Sequence, residues 1–233
     1  MTNIHQIDAA DHTWGKALIF AFSLVVGLTC GLVLLVGGWF LVNSTAGATI
    51  AGALAITDKT PWHFSRSAGT VAYLLLAGST IWGLLLSTKL LKESVPAALT
   101  LAIHNILSWL AIIFAGMHAL ALLGDSFYSY SLADLTVPFV GPYRPIWVGL
   151  GILGFYLIFI TTITFYFRKQ MGQKRWRQLH YATFAAYVLV TVHSVIAGTD
   201  TGNFGMQVLY WASAMMVLLL TVYRFKMPKA ITA

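Results

Sequence analysis

Six stretches of this chain contain no aspartate, glutamate, lysine or arginine at all. They run over approximately residues 17–42, 67–88, 98–123, 146–167, 179–198 and 206–223. Each is close to the roughly 20 residues that a helix needs to cross the hydrocarbon of a bilayer. In lipid a spanning segment must satisfy its backbone hydrogen bonds internally, and none of the six shows the alternation of a barrel strand. The expected fold is therefore all-α, a polytopic bundle of six transmembrane helices.

The rest of the chain is fitted around those spans. Of 233 residues, 58% are hydrophobic and only 9% charged, against roughly a quarter charged in soluble domains. Pro61, Pro138, Pro142 and Pro145 mark turns in short intervals that leave no room for a second domain. The expected organisation is a polar segment over 1–16, a membrane domain over 17–224 and a short tail over 225–233. The first sixteen residues lack a basic stretch and a small-residue cleavage site, so the first span reads as a retained helix. Cys30 is the only cysteine and lies in that span, which excludes a disulfide framework and a cysteine metal site.

The net charge of +7 follows topology and not nucleic acid. If both termini share one side, that side holds Lys16, Lys89, Lys92, Arg168, Lys169, Lys174, Arg175, Arg177, Arg224, Lys226 and Lys229. The opposite side holds only Lys59, Arg66 and Arg144. The positive-inside rule then places both termini in the cytoplasm and the protein in the cell's inner membrane.

Four histidines stand inside this apolar sequence, in two pairs. The third span carries His104 and His118; the fifth carries His180 and His193. His5, His12 and His63 occupy polar or interfacial stretches and need no special role. Ionisable residues within a membrane are costly and point to function, and neutral imidazole is a good iron ligand that brings no charge into lipid. The intervals of fourteen and thirteen residues correspond to about 21 and 19.5 Å along a helix. Both spans run in the same direction, so His104 pairs with His180 at the inner level and His118 with His193 at the outer. Two facing imidazoles at each level are what a low-spin haem requires. Fourteen residues return to nearly the same helix face, whereas thirteen leave a rotation of about 100–140° that local tightening or helix crossing must absorb. The alternative use is four histidines hydrogen-bonding between helices.

The stretch "RWRQLHYATFAAYVLVTVH" in the fifth span resembles the ferric reductase-like transmembrane superfamily. That superfamily includes ferric reductases, the membrane domain of NADPH oxidases and the haem-bearing partner of methionine-sulfoxide reductase. "FSRSAGTVAYLLLAGSTIWGLLLS" in the second span and the two histidine intervals extend the likeness over roughly residues 62–224. The resemblance implies a cytochrome b with two bis-histidine b-type haems, ligated by His104, His118, His180 and His193, and electron transport across the membrane. It also implies that Arg66 lies beside the outer haem, where it would neutralise a propionate; an ordinary interfacial arginine whose charged head reaches water is the alternative.

Only about ten residues follow the last span, and no G-x-G-x-x-G motif follows a strand. The chain is therefore expected to be the electron-transfer part of an oxidoreductase without a flavin or nicotinamide domain. Its donor would be a separate protein, a membrane quinol or a flavin bound without its own domain, and its acceptor would lie on the outer face. A haem-bearing subunit of a quinol-linked respiratory complex and a haem-free scaffold or transporter are the competing readings. Arg144 could reach the same propionates, the basic cluster from Arg168 to Arg177 could dock an acidic donor or pair with inner-haem propionates, and Trp109 and Phe114 lie between the histidine levels. Gly27 and Gly31 are a weak helix-packing signal.

Overall fold

The computed structural model describes residues 57–88, 90 and 96–226. The chain divides into two units, Met1–Thr57 and Asp58–Ala233, and the architecture below is that of the second. The expected first span, with Gly27, Cys30 and Gly31, and the polar start with His5 and His12 lie outside the described residues.

Among the described residues there is no strand. The helices are α1 (Thr60–Ser87), α2 (Ala97–Ala121, ending in a 3₁₀ turn over Leu122–Gly124), α3 (Leu132–Thr136), α4 (Pro145–Thr164), α5 (Arg168–Met171), α6 (Gln173–His180), α7 (Ala182–Ala197) and α8 (Phe204–Lys226). Among the described residues, five spans are long and apolar enough to cross a membrane: α1, α2, α4, the near-continuous Gln173–Ala197 formed by α6 and α7, and α8. Their limits follow the sequence. Pro61 and Pro145 open α1 and α4 in the first turn, where a missing N–H costs nothing. Gly172, at φ +84°, makes the corner between α5 and α6 in a conformation that glycine adopts without penalty.

Polarity is arranged inside out. Ile106, Leu120, Val188, Leu218 and Leu219 all stand more than half exposed. The buried polar side chains are Ser65, Ser79, Thr88, Thr100, Thr161 and Ser213. Each of these hydroxyls has a partner: the His118 carbonyl for Ser65, Ser108 for Ser79, and a carbonyl within the same helix for the others. An apolar exterior around a hydroxyl-bonded interior is stable when the surrounding solvent is hydrocarbon. This is a multi-pass membrane protein.

Four spans form a ring. α1 packs on α2 and on α7, and α4 packs on α7 and on α2, while α8 lies outside against α1. α2 and α7 therefore stand at opposite corners and share no packed seam with each other. A buried hydroxyl cluster ties α8 to the ring: Tyr73 of α1 bonds Ser213 of α8 at 2.9 Å, and the Tyr187 hydroxyl of α7 donates to Ser213 at 3.2 Å.

The two ends of the unit differ in charge. The end where α1 and α4 begin carries Lys59, Arg66 and Arg144 together with Asp58, Asp125, Asp134 and Asp200. The end where α4 and α8 finish carries Arg168, Lys169, Lys174, Arg175, Arg177, Arg224 and Lys226, with no carboxylate among the described residues. They are called the loop end and the basic end below.

Candidate functional site

The ring geometry brings the four intramembrane histidines together in the pairs that their spacing predicts. His118 of α2 meets His193 of α7 near the loop end, with ring centroids 6.3 Å apart and planes at 71°. His104 of α2 meets His180 at the end of α6 near the basic end, with centroids 6.1 Å apart and planes at 81°. The distance between α2 and α7 is thus bridged by imidazoles and not by interlocking side chains.

The other two corners of the ring supply what orients the rings. Nδ1 of His118 lies 2.8 Å from the Ser65 carbonyl and 3.0 Å from the Ser65 hydroxyl, and that hydroxyl donates to the His118 carbonyl at 2.9 Å. Nδ1 of His104 lies 3.1 Å from the Ser79 carbonyl and 3.2 Å from its hydroxyl. Across the ring, Nδ1 of His193 donates to the Trp147 carbonyl of α4 at 3.0 Å. A carbonyl can only accept, so these three imidazoles carry their proton on Nδ1 and keep the Nε2 lone pair free. Bonding at Nδ1 is the usual second contact of a metal-ligating histidine.

Glycines make the room. A Cβ on Gly69 would come within 2.8 Å of His118, one on Gly83 within 3.1 Å of His104, and one on Gly151 within 2.8 Å of His193. These residues were not singled out from the sequence, yet a signal was present there. "SRSAG" and "STIWG" repeat Ser-x-x-x-Gly at residues 65–69 and 79–83. The interval is fourteen, the same as from His104 to His118. Because α1 and α2 run antiparallel, the first repeat serves His118 and the second His104.

His180 is held differently. Its ring stacks on Trp176, one turn earlier, at 5.0 Å and 22°, and Trp176 in turn meets Phe165 edge-on at 5.8 Å. Nδ1 of His180 and Nε1 of Trp176 are both buried without a hydrogen-bond partner among the described residues. The thirteen-residue interval finds its adjustment just beyond His180. The amide of Tyr181 reaches both the Arg177 and Gln178 carbonyls at 3.3 Å, and the amide of Phe184 reaches the Tyr181 carbonyl at 3.1 Å. The Tyr181–Gln178 and Phe184–Tyr181 bonds are i→i+3 bonds, which tighten the helix toward three residues per turn and turn His180 relative to His193 in the direction that the interval requires.

The remaining residues singled out from sequence are placed as follows. Arg66 forms a two-pronged salt bridge with Asp200 in the α7–α8 loop and lies 4.2 Å over the Trp62 ring. Arg144, in the left-handed region at φ +40°, donates to the Ile196 carbonyl while Tyr143 donates to the Ala197 carbonyl. Those two contacts pin the loop before α4 onto the turn of α7 that follows His193. Trp109 donates to the Tyr166 hydroxyl at 3.1 Å and so belongs to the contact between α2 and the end of α4. His63 packs edge-on against Trp62, apart from the other histidines. The basic cluster borders an open cleft of about 350 Å³ lined by Gln173, Lys174, Arg177, Gln178 and Tyr181.

Among the described residues no three His, Cys, Asp or Glu side chains converge, so each level offers two nitrogen donors and no more. No family model matches the chain, and no curated protein or solved structure matches it.

Proposed function

We propose that the chain is a membrane-embedded b-type dihaem cytochrome, the electron-transfer component of a ferric reductase-like oxidoreductase. The separation within each histidine pair carries this reading. Metal–nitrogen bonds of about 2 Å, with each ring centre about 1.1 Å behind its nitrogen, put two opposed imidazole centroids about 6 Å apart on one metal ion. The observed separations are 6.3 and 6.1 Å. Among the described residues two donors converge at each level, which suits a ligand that supplies the other four coordination positions itself, as a porphyrin does. Bound there, haem iron would carry single electrons.

The chain's own residues hold and orient. The carbonyls of Ser65, Ser79 and Trp147 fix three ring orientations before any ligand arrives, which lowers the entropy lost on binding. Gly69, Gly83 and Gly151 let the rings lie close against α1 and α4. Arg66 uses Nε and one Nη for Asp200 and keeps further N–H donors, enough to hold a propionate at the loop end. The basic end supports a cytoplasmic placement by the positive-inside rule, with both termini on that side of the inner membrane. Electrons would enter there from a separate protein or a quinol and leave toward an acceptor at the loop end.

The test is spectroscopic. Protein purified from haem-replete cells should show the low-spin b-type difference spectrum on dithionite reduction, with two haems per chain. A colourless preparation overturns the proposal and leaves the histidines as hydrogen-bonded struts between helices.

A further inference from the structure

The two histidine levels are not equivalent, and the differences act in one direction. We infer that the site formed by His104 and His180, at the basic end, holds an electron more tightly than the site formed by His118 and His193. The inference rests on the haem-ligation reading above and assigns the order of the two potentials.

The first observation is the missing Nδ1 bond. At the loop-end level both rings donate Nδ1–H to a backbone carbonyl, Ser65 for His118 and Trp147 for His193. Such a bond pushes electron density onto the ring and makes Nε2 a stronger donor. Stronger donation favours the oxidised metal and lowers its potential. At the basic-end level only His104 has this partner, from Ser79. His180 has none among the described residues; the face of Trp176 fixes its orientation instead. Stacking sets the plane of the ring but donates no charge through Nδ1, so His180 is the weakest donor of the four.

The second observation is independent of ligation chemistry. The basic end carries seven cationic side chains and no carboxylate among the described residues, while three cations at the loop end face four carboxylates. Arg177 lies one turn before His180, and Arg224 reaches the Tyr181 hydroxyl at 3.4 Å. At the loop end Arg66 is neutralised by Asp200. Adding an electron near uncompensated positive charge is favoured by Coulomb attraction, so this term also raises the basic-end potential. With haem bound at both levels, the site held by His104 and His180 would therefore be the first to take an electron.

Trp176 acts here as a positioning residue. Trp176→Phe keeps an aromatic face against His180, whereas Trp176→Ala frees the ring and opens Nδ1 to other partners.

The experiment is a potentiometric titration of the detergent-purified full chain, followed in the α-band, for the unaltered protein and four variants. Two components are expected. His193→Ala and His118→Ala should each leave the more positive component, and Trp176→Ala should move that component in the negative direction while the other stays in place. Trp176→Phe should restore it. If the more negative component survives in the His193→Ala and His118→Ala proteins, or if Trp176→Ala moves both components equally or neither, the inference is overturned while dihaem ligation stands. Absence of haem from the unaltered protein overturns both.

Discussion

A methyl group on Gly69 would stand 2.8 Å from Nδ1 of His118. That atom cannot retreat freely, because the Ser65 carbonyl and hydroxyl, one turn away on the same helix, both hold it. Gly69→Ala therefore has to push the imidazole out of its orientation or force α1 away from α2. On the proposed dihaem ligation, the expected outcome is loss of the loop-end haem, bringing the haem-to-chain ratio from two to about one. Gly78, on the same helix, has nothing within 4 Å of an added Cβ, and Gly78→Ala should keep both haems. Equal haem content in the two variants would show that the close approach of Gly69 has no part in ligation.

Pairing across the ring makes a sharper demand. His118 and His193 face each other at one level and His104 and His180 at the other. Alanine at either member of a pair should remove the same haem, and the His118/His193 double variant should lose no more than one of its singles. That non-additivity is the signature of two residues acting as a unit. His63→Ala, which touches only Trp62 among rings, serves as the control with unchanged spectra. Four singles with four different partial losses would contradict pairing by level.

The fold was largely legible because lipid makes charge placement almost digital. Each of the five spans of the described unit covers most of one of the uncharged segments, while Pro61 and Pro145, expected to mark turns, stand in the first turns of α1 and α4. The α6–α7 junction was not legible. "RQLHYATF" has no residue that breaks a helix, and the tightening at Tyr181 answers a demand set by where His104 and His118 lie on another helix. Histidine pairing could be read because residue count fixes height along a helix. The orienting groups could not, since two are backbone carbonyls belonging to serines and one belongs to Trp147, and a carbonyl has no sequence letter of its own. Arg66 illustrates the limit from the other side. Its place at the loop end was anticipated, but its carboxylate partner, Asp200, is 134 residues away in a loop.

The Arg66–Asp200 pair links the start of α1 to the α7–α8 loop. Both side chains are about a third exposed, at 32% and 31%, so solvent screens the charges and the pair should be worth little more than a surface bridge. A double-mutant cycle of Arg66→Gln and Asp200→Asn should give a coupling of about 0.5–1 kcal/mol, measured by thermal unfolding in detergent. The coupling should shrink at high salt. Coupling several times larger would mean that the pair is sealed from water.

The loop between α2 and α4 has its own acid-sensitive clasp. Ser131 caps α3, and Asp134 accepts from both the Ser131 amide at 2.8 Å and the Ser131 hydroxyl at 2.6 Å. Those hydrogen bonds from Ser131 hold the Asp134 carboxyl below its ordinary value of 3.8. A carboxylate whose pKa is lower folded than unfolded contributes stability that is complete above the unfolded value and is lost as pH falls through the folded one. Amide exchange over residues 131–136, corrected for its intrinsic pH dependence, should therefore be flat near neutrality and accelerate below about pH 4. Asp134→Asn can still accept these bonds but cannot titrate there, so its exchange should lose the acid step. Tyr156 of α4 donates to the Thr136 carbonyl, which places the fraying loop against a span whose backbone is bonded within itself. Protection in the middle of α4 should accordingly stay constant through the same acid range. Acceleration that appears equally in α4, or persists in the Asn variant, would assign the acid response to groups other than this carboxylate.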